Sequence, residues 1–402
     1  MCVTSGRRCR IVILERASES ADRTLVVPQP RRCVEAMRSV GKNALTTRRF
    51  AARRAAATLS LLALLVTGVV GPVGASRRPR LADSSANSAR PRGLVQPGNS
   101  KTRCIYVGLG APLQMAEKAT HVVFNCLETF SDANPTWSAW VDPWLTHTQY
   151  GYKQWLADDP TRRTVILTQD LIPDSEAADL SWRAKGAAGD FNQYAKQLAK
   201  NLVSAGFGYS VIRLGHEMNG TWVRDNVGTT RTQWREWAEF FAQTVRAMRT
   251  VPGAHFLFDW DVNAGVRPIP LSDYYPGNLY VDIVGIDFYD SGGGNAVPTA
   301  AAASKRWSVL TQQSSGLDQL YQFAYLRGKP LSVPEWGTVT RKDMSTAGGD
   351  DGAYVTYMGQ FFATHDIAYE SWFDADSDGI YELNARTAPK SVAAYVKTIS
   401  RV

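Results

Sequence analysis

The sequence predicts an α/β fold, a (β/α)8 TIM barrel, on three observations. From residue 102 onward, a short apolar or aromatic run that ends in polar residues alternates eight times with a longer, helical stretch. Most of the runs are continuous rather than alternating, which suits parallel strands covered on both faces. Their polar ends gather carboxylates and tryptophans, and in a barrel the chemistry sits where strands end.

Taken in order, the expected strands are Arg103–Gly108, His121–Cys126, Thr164–Gln169 and Tyr209–Leu214, then His255–Trp260, Val281–Phe288, Pro330–Pro334 and Ala368–Phe373. Helical stretches fall between them. Asn192–Ala205 spaces Tyr194, Leu198, Leu202 and Ala205 by three or four residues. Gln233–Met248 sets Trp234, Trp237, Phe240, Phe241, Val245 and Met248 on one face, and Tyr354–Ala363 and Pro389–Ile399 supply the last two helices. An open doubly wound sheet is the alternative. Its glycine-rich turn is poorly matched by Gly108-Leu109-Gly110-Ala111-Pro112, which lacks the third glycine and has proline where the helix should open. No cofactor is expected.

The net charge of +8 is unevenly placed. Residues 1–75 hold 13 basic and 4 acidic residues, whereas residues 101–402 hold 27 and 32, a net of −5. A nucleic-acid-binding domain would carry its positive charge on the folded part, so that class is excluded.

Arg48, Arg49, Arg53 and Arg54 precede the uncharged stretch Ala55–Ala75, whose end Val73-Gly74-Ala75 suits signal peptidase. Residues 37–75 therefore read as a signal peptide cleaved near Ala75. A membrane anchor is the alternative, because the run is long enough to span a bilayer. Residues 1–36 read as a gene-start error or a disordered extension, since Met37 would open a leader of ordinary length. Residues 76–100, rich in Ser, Arg, Pro, Gly and Asn, read as a flexible linker, and 101–402 as the barrel. The expected product is secreted or attached to the cell envelope, monomeric, and without a membrane span once cleaved. Cys104 and Cys126 then remain, either as a disulfide joining the first two strands or as two buried thiols.

The strand ends carry the chemistry. Strand 4 runs into Gly215-His216-Glu217-Met218-Asn219-Gly220-Thr221-Trp222, and strand 7 into Pro334-Glu335-Trp336-Gly337. Strand 5 ends with Asp259, Trp260, Asp261 and Asn263, strand 6 with Asp287, Tyr289 and Asp290, and strand 8 with Glu370, Trp372 and Asp374. Glutamates on strands 4 and 7 face each other across a barrel mouth. Two carboxyls about 5–5.5 Å apart can cleave a glycosidic bond with retention. Tryptophans offer flat faces to sugar rings, and Asn, Asp and His bond hydroxyls. A single strand-end glutamate is more often a structural partner; the opposed pair favours catalysis.

The segment Arg213-Leu214-Gly215-His216-Glu217-Met218-Asn219-Gly220-Thr221-Trp222 resembles the acid/base motif of glycoside hydrolase family 26, and the resemblance covers roughly residues 101–402. It implies a retaining, endo-acting β-glycanase, most often on β-1,4-mannan. Glu217 would be the acid/base, Glu335 the nucleophile, His216 an orienting residue, and Tyr289 a hydrogen-bond partner of the nucleophile. Trp222 would line the sugar subsites. Asn219, Trp260, Asp287, Trp336 and Trp372 complete the candidate substrate-binding set. Where the family has proline before the histidine, this chain has Gly215, which leaves β-glucan or xylan as alternatives. A carbohydrate-binding barrel without catalysis is the reading from another class.

Other motifs carry less. His216-Glu217-Met218-Asn219-Gly220 lacks the second histidine of a zinc protease helix. Asp374, Asp376 and Asp378 open like a calcium loop, but the twelfth position is Ala385; a looser calcium site or a plain acidic turn both remain. Trp137, Trp140, Trp144 and Trp155 follow strand 2 and could either pack or extend a glycan cleft.

Overall fold

Eight parallel strands close on themselves in sequence order in a computed structural model that describes residues 102–131, 134–266, 268–291, 303–339, 347–375 and 382–400. The expectations for residues 1–36, 37–75 and 76–100, and for Asp376 and Asp378, lie outside the described residues. The order is β1 (Arg103–Tyr106), α1 (Ala111–Thr120), β2 (Cys126–Ser131), α2 (Trp137–Trp140), α3 (Tyr152–Asp158) and β3 (Thr164–Gln169). Then come α4 (Trp182–Ala188), α5 (Asn192–Ser204), β4 (Val211–Leu214), α6 (Arg231–Arg249), β5 (Leu257–Asn263) and β6 (Ile283–Tyr289). The chain continues with α7 (Ala303–Gln312), α8 (Leu317–Leu326), β7 (Leu331–Gly337), α9 (Gly352–Thr364), β8 (Ile367–Phe373) and α10 (Pro389–Thr398).

The helices follow from their apolar stripes. In α6, Trp237, Phe240, Phe241, Val245 and Met248 are buried, and the helix opens on a capping box in which Thr230 and Gln233 exchange hydrogen bonds. Leu198 and Leu202 bury the inner face of α5. Among the described residues, β5 and β6 are joined by a loop with a single 3-10 turn, Leu271–Asp273, and not by a helix.

Register explains where the strands differ from expectation. Strand 2 is Cys126–Ser131, not His121–Cys126: Cys104 lies opposite Cys126, and the two are joined by a disulfide. Val123, in the apolar run before it, is 82% exposed, while Phe124 is buried and its N–H donates to Glu117. β5, β6 and β7 likewise run one to three residues past their apolar stretches. Side chains alternate along a strand, and the positions near these ends that point into the barrel are polar.

Two apolar layers result. One plugs the floor of the barrel with Cys104, Cys126, Ile166, Val211, Leu257, Ile283, Ala368 and Tyr369. The larger lies between the sheet and its helices. Above the floor the interior turns polar, with Glu128, Thr168, Arg213, Asp259, Asp261, Asp287 and Ser332 all buried. Gly285 makes room for this layer: a Cβ there would strike the side chains of Asp261, Asp259 and Ser332.

Candidate active site

Arg213, on β4, is fully buried and stands at the centre of the polar layer. Its Nη1 donates to Glu335 Oε1 at 2.6 Å, and to Glu128 Oε1 and Thr168 Oγ1 at 3.2 Å each. Its Nη2 donates to Asp261 Oδ2 at 2.8 Å and to Asp287 Oδ2. One guanidinium thus serves four carboxylates from β2, β5, β6 and β7, a task its planar fork of donors suits. Burial pushes Glu128 up to about 8 and Asp287 well above the ordinary range, although Arg213 opposes both shifts.

Glu335, near the end of β7, sits where the register with β6 and β8 shifts. Tyr289 donates its hydroxyl to Glu335 Oε2 at 2.8 Å, and the Glu335 N–H donates to Asp287 Oδ1 at 3.0 Å. Burial alone would raise its pKa. The charges of Arg213 and His216, with the bonds from Arg213 and Tyr289, win and hold it below the ordinary glutamate value.

Glu217 is presented differently. The chain leaves β4 through Gly215 at φ 61°, and Glu217 itself sits at φ 48°. That left-handed conformation is strained for a glutamate and persists only where surroundings impose it. Proline, with φ near −65°, could not occupy position 215 in this backbone. A Cβ at 215 would also come within 2.8 Å of the Trp237 ring. Glu217 accepts hydrogen bonds from Asn263 Nδ2 and Trp222 Nε1. Asn263 is fixed by reciprocal bonds with Asn219, 2.8 Å each. Burial, and then the charge of Glu335, raise the pKa of Glu217. Two carboxyls of like chemistry therefore have opposite tendencies.

Beside them, His216 Nδ1 lies 3.4 Å from Asp170 Oδ1, and Arg224 pairs with both Asp170 and Asp174. Burial disfavours the imidazolium, but Asp170 overcomes it and lifts His216 to about 9. That shift favours the imidazolium form of His216, which faces Glu217 and Glu335.

One oxygen from each of Glu217, Asp287 and Glu335 lies within 4.8 Å of the others, the one such cluster of possible metal ligands among the described residues. Arg213 already compensates Asp287 and Glu335. A cleft of about 400 Å³ opens over the two glutamates and is lined also by Tyr106, Thr129, Phe130, Trp144, His216 and Phe373. Tyr106 and Phe373 stack at 4.6 Å, with Phe130 edge-on to both.

The structure redraws the aromatic part of the expected site. Trp222 is 53% exposed next to Glu217. Trp260, Trp336 and Trp372 are 0% exposed and do not reach the cleft. Each follows or precedes an inward residue and so points to the helices: Trp260 packs on Tyr274, Tyr275 and Phe323, and Trp336 on Trp372 and Tyr395. Trp336 also bonds Glu370 at 2.7 Å. Of the four tryptophans after strand 2, Trp144 lines the cleft, whereas Trp140 is buried and bonds the Asp170 carbonyl. Asp374 accepts the Leu383 N–H at 2.9 Å, a turn contact. Sequence reasoning missed Arg213, Phe130, Tyr106 and Phe373; period-two alternation marks each as inward on its strand.

Residues 168–304 match the family model of glycosyl hydrolase family 26, a span that includes Arg213, His216, Glu217, Asn263, Asp287 and Tyr289 and stops before Glu335. A mannan endo-1,4-beta-mannosidase of Bifidobacterium adolescentis is 26% identical over 193 residues, 47% of this chain; the matched stretch is only 18% of that protein. The fold resembles that of a GH26 beta-mannanase from Bacteroides ovatus (TM-score 0.54, 13% identity, 76% of this chain and 88% of that one). It also resembles an endo-beta-1,4-mannanase double mutant from Cellulomonas fimi (TM-score 0.50, 16% identity, 75% and 70%). The matched stretch supplies β4 to β6, within the closed eight-stranded barrel, and over that stretch the chain is similar to glycosyl hydrolase family 26.

Proposed function

We propose that this chain is an exported, retaining endo-β-glycanase acting on β-1,4-mannan, with Glu217 as acid/base and Glu335 as nucleophile. The observation that carries the reading is the pair itself: two buried carboxyls with oxygens within 4.8 Å, one held ionised by Arg213 and one pushed toward protonation.

The residues divide the work. The protonated Glu217 gives its proton to the departing glycosidic oxygen while Glu335 attacks the anomeric carbon, forming a glycosyl ester. The negative charge of Glu335 is lost in that ester, so Glu217 loses its main electrostatic reason to stay protonated. It then takes a proton from water, which hydrolyses the ester with net retention. Tyr289 and Arg213 hold Glu335 in line for attack. Trp222 offers an exposed ring beside Glu217, and Phe130, Tyr106 and Phe373 form an apolar wall.

Internal cleavage of a chain, like the preference for mannan, is carried over from the names of the relatives. The preference for mannan rests on the names of the relatives and the resemblance of residues 213–222. Export rests on the leader read at residues 37–75, with the Cys104–Cys126 bridge in agreement, since disulfides persist in oxidising compartments. No described helix is long and apolar enough to cross a membrane.

Reducing-sugar release from mannan, galactomannan, xylan, lichenan and β-1,3-glucan tests the activity, with proton NMR of the first-formed anomer. Mannan cleavage with retained configuration is expected. Saturable binding with no turnover on any substrate would sink the enzyme reading in favour of a binding barrel; an inverted product would sink the assigned roles.

A further inference from the structure

Asp290 ends the carboxylate-rich segment of strand 6, yet it does not face the cleft. It is fully buried and bound by Arg306 of α7, itself 3% exposed. The Arg306 Nε donates to Asp290 Oδ1 at 2.5 Å and its Nη2 to the Asp290 carbonyl at 2.7 Å. That carbonyl also accepts the Gly348 N–H at 3.0 Å, and the Asp290 N–H donates to the Gly337 carbonyl at 3.1 Å. Two residues earlier, the Phe288 carbonyl accepts the Tyr354 hydroxyl from α9. Residues 288–290 are thus held from behind by α7, α9 and the segment after β7. Between the two held residues stands Tyr289, whose hydroxyl reaches Glu335.

A buried ion pair is weak evidence of net stability, because desolvation offsets its attraction. Here the guanidinium takes both the side chain and the backbone of one residue, which fixes a backbone position more than it neutralises a charge. We infer that the Arg306–Asp290 clamp is the positioning device that aims Tyr289 at Glu335 and so helps keep Glu335 ionised. The inference rests on the role proposed above for Glu335. Arg306 and Asp290 touch no substrate; they act through Tyr289.

The groups facing Glu335 are Arg213 and Glu217 from the β4 segment, His216 beside them, Glu128 from β2, and Asp287 and Tyr289 from β6. Only the last is tied to the clamp through an adjacent residue. Loosening the clamp should weaken one donor and leave the others in place.

The test is a carbon-13 NMR titration of the glutamate side-chain carboxyls, assigned at Glu335, in the wild type, Tyr289→Phe, Arg306→Met, Arg306→Lys and the Arg306→Met/Tyr289→Phe double variant. Tyr289→Phe should raise the Glu335 midpoint by about one unit, the differential worth of one hydrogen bond to an ionised group. Arg306→Met should raise it in the same sense, Arg306→Lys by less, and the double variant should match Tyr289→Phe alone. If Arg306→Met does not fold, Asp290→Asn takes its place with the same expectation. An unchanged midpoint in the clamp variants, or shifts that add in the double variant, would overturn the inference. The titration needs no substrate, so a failure of the proposed activity would show separately, as a normal midpoint pattern without turnover.

Discussion

Arg213 reaches across the barrel to Glu335, donating from Nη1 to Oε1 at 2.6 Å, whereas Glu217, four residues further along the same segment, takes its bonds from the neutral Asn263 and Trp222. This asymmetry separates two glutamates that share one cleft. A cation beside one carboxyl and neutral donors beside the other give them different proton affinities.

Replacing Arg213 by methionine should therefore damage both activity and stability. Glu128, Asp261, Asp287 and Glu335 would lose their shared cation in a sealed interior. Breaking a buried pair in this way costs roughly 3–5 kcal/mol. Denaturant unfolding at neutral pH should show the loss, with a smaller one in Arg213→Lys. Equal stability in the wild type and Arg213→Met would mean the layer does not depend on the guanidinium.

The pH profile follows from the same asymmetry. The roles proposed for the pair need Glu335 ionised and Glu217 protonated. Since Glu335 lies below and Glu217 above the ordinary glutamate value of 4.5, kcat/KM should form a bell with its limbs on either side of that value. It rises as pH climbs through the Glu335 pKa and falls as pH climbs through that of Glu217. Glu217→Gln should flatten the alkaline limb on a substrate with a good leaving group. A single sigmoid in the wild type would contradict the paired assignment.

Removing each glutamate should have unlike consequences. Glu335→Ala should abolish turnover on every substrate, a loss of several orders of magnitude. Glu217→Ala should suffer most where the leaving group is poor, and azide should rescue it by attacking the glycosyl-enzyme to give a β-glycosyl azide. Azide rescue of Glu335→Ala with an inverted, α-linked product would remain consistent, because azide then fills the space of the missing carboxylate. A β-glycosyl azide from Glu335→Ala, or full activity without Glu335, would reverse the roles.

The sequence carries the fold because eight apolar runs with helical spacers leave few other solutions, and β3 is found as expected at Thr164–Gln169. β2 was missed because Glu128, Thr129 and Ser131 interrupt the apolar pattern, and the inward Glu128 serves Arg213. The glutamates were legible as motif residues at strand ends. The buried tryptophans were not: a tryptophan next to a catalytic-type glutamate on a strand must point to the opposite face, and Trp336 does. Arg213 was overlooked because an arginine within the apolar run VIRL gives no local sign of the four carboxylates that converge on it from distant strands.

The bridge between Cys104 and Cys126 closes a separation of 22 residues and ties β1 to β2 at the barrel floor. Replacing both cysteines by serine should lower stability by about 3 kcal/mol on the chain-entropy estimate, with two buried hydroxyls adding to the loss. Alkylation of the unreduced folded protein followed by intact-mass measurement should show no added label on this pair. Two labels would mean the thiols are free.

Trp222 offers the finest control over Glu217. Its indole N–H donates to Glu217 Oε2 while half the side chain faces solvent, so it is the more movable of the two donors; Asn263 is locked to Asn219. An N–H donor favours the ionised carboxyl, which opposes the burial that favours the proton. Trp222→Phe keeps an aromatic face for a sugar ring but removes that donor. The pKa of Glu217 should rise, and the alkaline limb of kcat/KM should move to higher pH by about one unit or less. The acid limb, set by Glu335 and its bonds to Arg213 and Tyr289, should stay in place. A change in KM alone, with both limbs fixed, would assign Trp222 to sugar binding and remove it from the control of proton transfer.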